Sequence, residues 1–228
     1  MQAKVMRILY HYWLIPVCRK ARIMLGEKKL EYNSEIIKPW DLSDKYLKMN
    51  PSGYLPTLID KGVTEAICGT HNICEYLEEA YPEQPMLGKD LTQRTEVRRV
   101  VDWFDEKFNK EVSEKLIFEK YLKRHFGQGY ADTAALREGV KTINDHLCYI
   151  EWLLEDRNWL AGDYFSLADI SAAAHLSAID YLGDVPWDRY FEAKEWYMRV
   201  KCRPSFRGVL NESVPGLTPP KHYSQFDF

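Results

Sequence analysis

Asn50-Pro51-Ser52-Gly53-Tyr54-Leu55-Pro56-Thr57-Leu58-Ile59 is the stretch on which the fold turns. Asn-Pro-Ser-Gly is a turn, because Pro fixes its own φ, Asn and Ser bond their own backbone, and Gly accepts a positive φ. Leu55 to Ile59 then reads as a strand rich in apolar and β-branched residues. Upstream, Met6 to His11 reads as a short buried strand, and Pro16 suits the first turn of a helix. That helix, Cys18 to Glu27, carries apolar residues at Ala21, Ile23, Met24 and Leu25. Leu30 to Ile37 reads as a second strand and Leu42 to Met49 as a short helix. Downstream, Asp60-Lys61-Gly62 is a hairpin loop and Val63 to Ile67 the returning strand. Thr70 caps a helix through Ala80, with Ile73, Tyr76 and Leu77 at helical spacing. The order is strand, helix, strand, helix, strand, strand, helix. One parallel crossover precedes a hairpin, so a single sheet holds both pairing types.

Tyr81-Pro82-Glu83-Gln84-Pro85 stops the third helix, and Met86 to Lys89 reads as a linker. Beyond it, from Thr92 to roughly Cys202, the chain shows helix periodicity and almost no strand signal. A long helix starting at Asp90 or Thr92 runs to about Lys123, with Val97, Val100, Val101, Phe104, Phe108 and Val112 on its core face. Asp102, Asp105, Glu106 and Lys107 read as its solvated side. Gly127 and Gly129 mark a loop over Arg124 to Ala131, and a second helix follows from Thr133 to Leu154. At Phe165-Ser166-Leu167-Ala168-Asp169-Ile170, the Ser166 hydroxyl faces the amide three residues on while the Asp169 carboxylate reaches back to the amide of Ser166. Phe165 and Ile170 form the accompanying hydrophobic staple. The helix it opens, Ala168 to Leu182, is apolar nearly all round and is therefore expected to be buried on most sides. Residues 1–81, 82–91, 92–210 and 211–228 are thus expected to be an α+β domain, a linker, an all-α domain and a tail. Pro215, Pro219 and Pro220 forbid helix in the tail, and its aromatics, Tyr223, Phe226 and Phe228, are unusual for a solvated end. Either the tail folds back on the helices, or it presents aromatic anchors to a partner. Trp40, in the loop Lys38-Pro39-Trp40-Asp41, is a second candidate for partner recognition.

With 228 residues, 46% of them hydrophobic and 14% aromatic, the chain is long enough for a well-buried core and is not disordered. Thirty-one basic against 34 acidic residues leave a net charge of -3, which gives no field for a polyanion and argues against nucleic acid. Five cysteines without close pairs, and an N-terminal apolar stretch broken by His11 and Cys18-Arg19-Lys20, point to a reducing cytoplasm rather than a secretory signal. No run approaches the roughly 18 apolar residues of a membrane span, so no membrane insertion is expected. The six histidines show no ligand spacing with Cys or acids, so no metal site is expected.

The stretches Pro16-Val17-Cys18-Arg19-Lys20, Gly26-Glu27-Lys28-Lys29-Leu30, Asn50-Pro51-Ser52-Gly53 and Leu55-Pro56-Thr57-Leu58 resemble the thioredoxin-like domain of the glutathione transferase superfamily. Trp159-Leu160-Ala161-Gly162-Asp163 and the Ser166 to Asp169 box resemble its helical domain. The resemblance implies the GST fold: a thioredoxin-like α+β domain with a four-stranded mixed sheet and three helices, then an all-α domain, in a homodimer. It also implies a glutathione site. Pro56 would be cis, so that the Leu55 backbone pairs with the cysteinyl part of glutathione; a Glu-Ser pair at the start of the third helix would grip the γ-glutamyl group. Here that pair is Gly69-Thr70, and the Ser or Cys that would stabilise the thiolate is Ile15, which has no donor. Tyr12 and Cys18 are the remaining candidates for the catalytic role. Cys18 sits in the first helical turn beside Arg19, Lys20 and Arg22, and is either a reactive thiol of depressed pKa or a small packed residue. Finally, Asp102-Trp103-Phe104-Asp105, Ile179 to Trp187, Glu195-Trp196-Tyr197-Met198 and the tail look like the bacterial GST-like cell-division proteins that bind FtsZ. That resemblance implies a non-catalytic partner of FtsZ filaments that requires no cofactor, is cytoplasmic and is recruited to the division site. The alternative is a glutathione transferase using glutathione for conjugation or thiol transfer.

Overall fold

The computed structural model describes residues 7–226; Met6 of the expected first strand and Phe228 of the tail lie outside them. The first part of the chain runs β1 (Ile8–His11), α1 (Pro16–Glu27), β2 (Asn33–Ile36), α2 (Asp44–Met49), β3 (Thr57–Ile59), β4 (Ile67–Cys68) and α3 (Thr70–Ala80). The sheet order is β2-β1-β3-β4. β1 pairs parallel with β2, Ile8 opposite Asn33, and antiparallel with β3, Leu9 opposite Leu58. This is the expected mixed sheet, with the crossover helix α1 buried between sheet and helical domain.

All four strands are shorter than expected, β2 and β4 most clearly: β2 spans Asn33–Ile36 rather than Leu30 to Ile37. β4 begins at Ile67 rather than Val63, because three-residue β3 offers partners only to Ile67 and Cys68. Thr64 and Glu65 stay exposed in the preceding turn. The cap of α3 is Gly69 at φ +85°, not Thr70, which is the first helical residue. The stretch after α3 is pinned rather than loose. The buried Glu78 carboxylate accepts from the backbone N–H groups of Met86 and Leu87 and from Lys28 Nζ at 2.7 Å.

The second part opens with one continuous helix, α4, over residues 91–125, N-capped by Asp90, whose Oδ1 accepts from Gln93 N–H at 2.9 Å. Its turns widen to the i→i+5 type over Trp103–Ser113 and Phe118–Leu122. Then come α5 (Thr133–Leu154), α6 (Leu167–Tyr181), α7 (Phe191–Lys201) and the short α8 (Arg207–Leu210). Every residue of α6 is buried, as its all-round apolar sequence requires, and α6 packs on α1 of the other domain. The capping box is formed: Ser166 N–H donates to Asp169 Oδ2 at 2.9 Å. The same carboxylate also accepts from Leu160 N–H at 3.0 Å and from the Trp196 indole at 2.9 Å.

The acidic side of α4 is not uniformly solvated. Asp105 is turned inward, where its carboxylate meets Lys20 Nζ of α1 at 2.5 Å and the Ser171 hydroxyl of α6. The tail folds back on the helices. Tyr223 is buried, accepts from Arg19 Nη1 at 3.0 Å, donates to Val209 O at 3.2 Å and stands edge-on to Tyr181. Tyr223 is therefore an internal anchor and not the partner contact expected from its place in the tail. Phe226 keeps 45% of its surface exposed.

Candidate functional site: the cleft between the domains

A cleft of about 990 Å³ separates the loops at the edge of the sheet from α4. One wall is Leu42 and Leu55; the other is Ile117, Phe118 and Leu122. The floor is the N-terminus of α1. Ile15 precedes that helix in an extended conformation (φ -78°, ψ 117°), and its side chain bonds no backbone group. An apolar sec-butyl group thus stands at the start of α1, and it neither donates nor accepts a hydrogen bond. The helix dipole at this end favours an anion, but Pro16 has no N–H, the Cys18 and Arg19 amides already donate to Ile15 O, and the side-chain donor is missing.

Of the glutathione-site residues expected from the sequence, Leu55 lines the cleft. The Leu55–Pro56 peptide is cis, and Pro56 O accepts from Gly69 N–H at 3.0 Å, which fixes the start of α3 beside the entry to β3. Gly69 and Thr70 do not reach the cleft wall. A Cβ on Gly69 would meet nothing within 4 Å, so space remains for a side chain, but the positive φ favours glycine. The Thr70 hydroxyl is out of contact with water and lies against the buried Cys74 thiol.

The two catalytic candidates behave opposite to what activation needs. Cys18, in the first turn of α1, is wholly buried, and burial pushes its thiol up to about 12, outweighing a backbone hydrogen bond at Tyr12 and the Arg22 charge. The basic residues that were to depress it are engaged elsewhere: Lys20 with Asp105, Arg22 with Glu212, and Arg19 with the Trp13 carbonyl, Ser177 and Tyr223. Tyr12 is also buried. Its hydroxyl shares a 2.6 Å hydrogen bond with that of Tyr121, and burial followed by this bond drives its pKa far above the usual phenol range. Neither group supplies an anion, or a donor aimed at the cleft, near neutral pH.

Trp40 is half-buried at the cleft mouth, where its indole stacks on His125 (centroids 4.3 Å apart, planes at 14°) and meets Tyr12, Tyr121 and Phe126 edge-on. The aromatic cluster at the end of α4 escaped the sequence reading. Its trace was there in Tyr121, His125 and Phe126, which recur at helical spacing just before the Gly127 loop. Among the described residues, no group of His, Cys, Asp and Glu is placed to hold a metal, and no helix is long and apolar enough to cross a membrane.

A four-stranded mixed sheet with α1 docked on a helical domain, and a cleft at the α1 N-terminus, define the class. Residues 9–85 match the glutathione S-transferase N-terminal domain and residues 113–204 the C-terminal domain, and the chain belongs to the glutathione S-transferase family. Within it, the chain is 46% identical over 226 residues to FtsZ-localized protein A of Caulobacter vibrioides, covering 98% of this chain and 99% of that protein. The solved structure of FzlA from C. crescentus superposes with a TM-score of 0.94 at 46% identity, covering 98% of this chain and all of that one. A glutathione S-transferase from Rhodospirillum rubrum F11 superposes with a TM-score of 0.95 at 49% identity over the same share.

Proposed function

We propose that this protein is a non-catalytic binding protein for FtsZ filaments in bacterial cell division, built on a transferase fold whose glutathione site has been degraded. The observation that carries the proposal is Ile15: an apolar side chain occupies the activating position at the cleft floor. Buried Cys18 and Tyr12, both with raised pKa values, supply no substitute. The likeness to FtsZ-localized protein A over nearly the whole chain supplies the partner. Such a protein works in the cytoplasm and is recruited to the division site. As a homodimer it would offer two equal surfaces, and so bridge neighbouring filaments through effective concentration rather than strong single contacts. The contact surface lies around Trp40 and the exposed Phe226. The chemistry requires no cofactor; Leu55 keeps its place on the cleft wall, which leaves glutathione as an optional ligand and transferase activity as the rival function.

Co-sedimentation with GTP-assembled FtsZ tests the proposal. The protein is expected to pellet with filaments at micromolar concentration. Phe226→Ser is expected to weaken pelleting roughly thirtyfold, the effect of losing one aromatic hot spot of about 2 kcal/mol. Wild-type protein that stays in the supernatant with filaments present would defeat it.

A further inference from the structure

Away from the cleft, α4 and α5 carry a ladder of aromatic rings at the surface. Trp103 stacks on Tyr149 with centroids 4.0 Å apart, and Tyr149 on Trp152 at 5.8 Å. Trp152 is 56% exposed. The inner end of the ladder is tied to a buried histidine. The Trp103 indole N–H donates to His146 Nδ1 at 3.0 Å, and His146 Nε2 faces Glu111 Oε2 at 3.0 Å.

These contacts fix the tautomer. An indole N–H only donates, so Nδ1 must hold a lone pair. Glu111, kept ionised by its bond to Lys107, only accepts, so Nε2 must carry the single proton. A second proton has one place to go, Nδ1, and there it would set N–H against N–H across 3.0 Å. We propose that His146 is a proton-sensitive clamp for the Trp103–Tyr149–Trp152 ladder: protonation of Nδ1 expels the Trp103 indole and loosens the surface stack.

The surroundings place the step below the ordinary histidine range. Burial lowers the pKa of His146, opposed by the Glu111 carboxylate facing Nε2. Lys107 on α4 adds to the lowering and Asp145 on α5 to the raising. From α6, His175 packs on the other side of Phe108, itself held neutral by burial. Arg99, which donates to the Tyr149 hydroxyl at 2.6 Å, and its partner Glu96 anchor the outer part of the ladder and do not touch the imidazole. Once formed, the imidazolium pairs with Glu111, so the cost falls on the Trp103 bond. His146 is thus a positioning residue whose effect is read at Trp103, independently of whether filaments bind.

Protein labelled with 5-fluorotryptophan tests this by fluorine NMR, since the chain has seven tryptophans and Trp103→Phe assigns the resonance. As pH falls below the ordinary histidine value near 6.5, the Trp103 signal is expected to shift and become accessible to a soluble quencher while Trp187 and Trp196 stay unchanged. His146→Gln offers an amide oxygen to the indole and an amide N–H to Glu111, so it should hold Trp103 in place and abolish its pH response. The proposal is overturned if Trp103 is indifferent to pH, if the Gln variant responds as the wild type does, or if all the resonances change together in one global transition.

Discussion

Asp169→Ala is expected to remove roughly 3–5 kcal/mol of folding stability, near the upper limit for a single substitution. The carboxylate is fully buried and accepts four hydrogen bonds: from the amides of Leu160 and Ser166, the Ser166 hydroxyl and the Trp196 indole. Burial pushes its pKa up, and these four donors oppose that push. Alanine would leave every donor in a dry interior, and each orphaned group costs about 1–3 kcal/mol before relaxation. The damage spreads because the residue joins three elements: the start of α6, the loop before it and α7. Asp169→Asn keeps one accepting oxygen and is expected to lose about half as much. Urea unfolding at pH 7, followed by tryptophan fluorescence and far-UV circular dichroism, measures it. A loss below about 1 kcal/mol would mean that the network is not cooperative.

Lys20→Met is expected to cost about 3–5 kcal/mol, by stranding Asp105 rather than by losing a favourable pair. The ammonium is 1% exposed and sits 2.5 Å from a carboxylate that is 16% exposed. The pair crosses from α1 to α4, so it also holds the domains in register. A double variant, Lys20→Met with Asp105→Leu, should recover most of the loss, since a well-packed apolar pair substitutes for a buried ion pair. The pH dependence follows from the signs. Burial alone would raise the pKa of Asp105; the Lys20 charge, with His175 facing it, outweighs burial and holds it well below the usual carboxylate range. A depressed carboxylate contributes stability that is present above its unfolded value near 3.9 and is lost as pH falls through the folded value. The pKa of Lys20 is raised in turn, chiefly by Asp105 acting against burial, so its share persists until pH exceeds the ordinary lysine value near 10.4. Both shares are present at neutral pH. The single variant should therefore show a flatter decline in acid than the wild type, and an equally steep one would contradict this assignment.

The order of elements was legible because punctuation marks it. Pro16 opens α1, the turn at 50–53 precedes β3, and Pro82 and Pro85 close off α3. The Ser166–Asp169 box was legible for the same reason, since all its members lie within one helical turn. Limits set by pairing were not: β4 is as long as its partner allows, which no local pattern records. Asp105 was misplaced because its environment comes from Lys20 and Ser171, far away in sequence. In a window of α4 it looks like any residue of an acidic face. Cys18 and Tyr12 illustrate the same gap. A thiol near a helix start beside three basic residues reads either as reactive or as a small packed residue, and only the full structure decides: the basic groups pair with other residues and the thiol is wholly buried. Ile15 reads the same from sequence and structure, since an aliphatic side chain donates no hydrogen bond in any surroundings.

Calorimetric titration with reduced glutathione, with ultraviolet monitoring of its thiol, addresses most directly whether this transferase fold still performs transferase chemistry. With Ile15 at the floor of the cleft, the expected result is no thiolate signal at neutral pH and at most weak binding, in the millimolar range or beyond. A saturable micromolar isotherm accompanied by ionisation of the bound sulfur, and by conjugation of an electrophile, would contradict it.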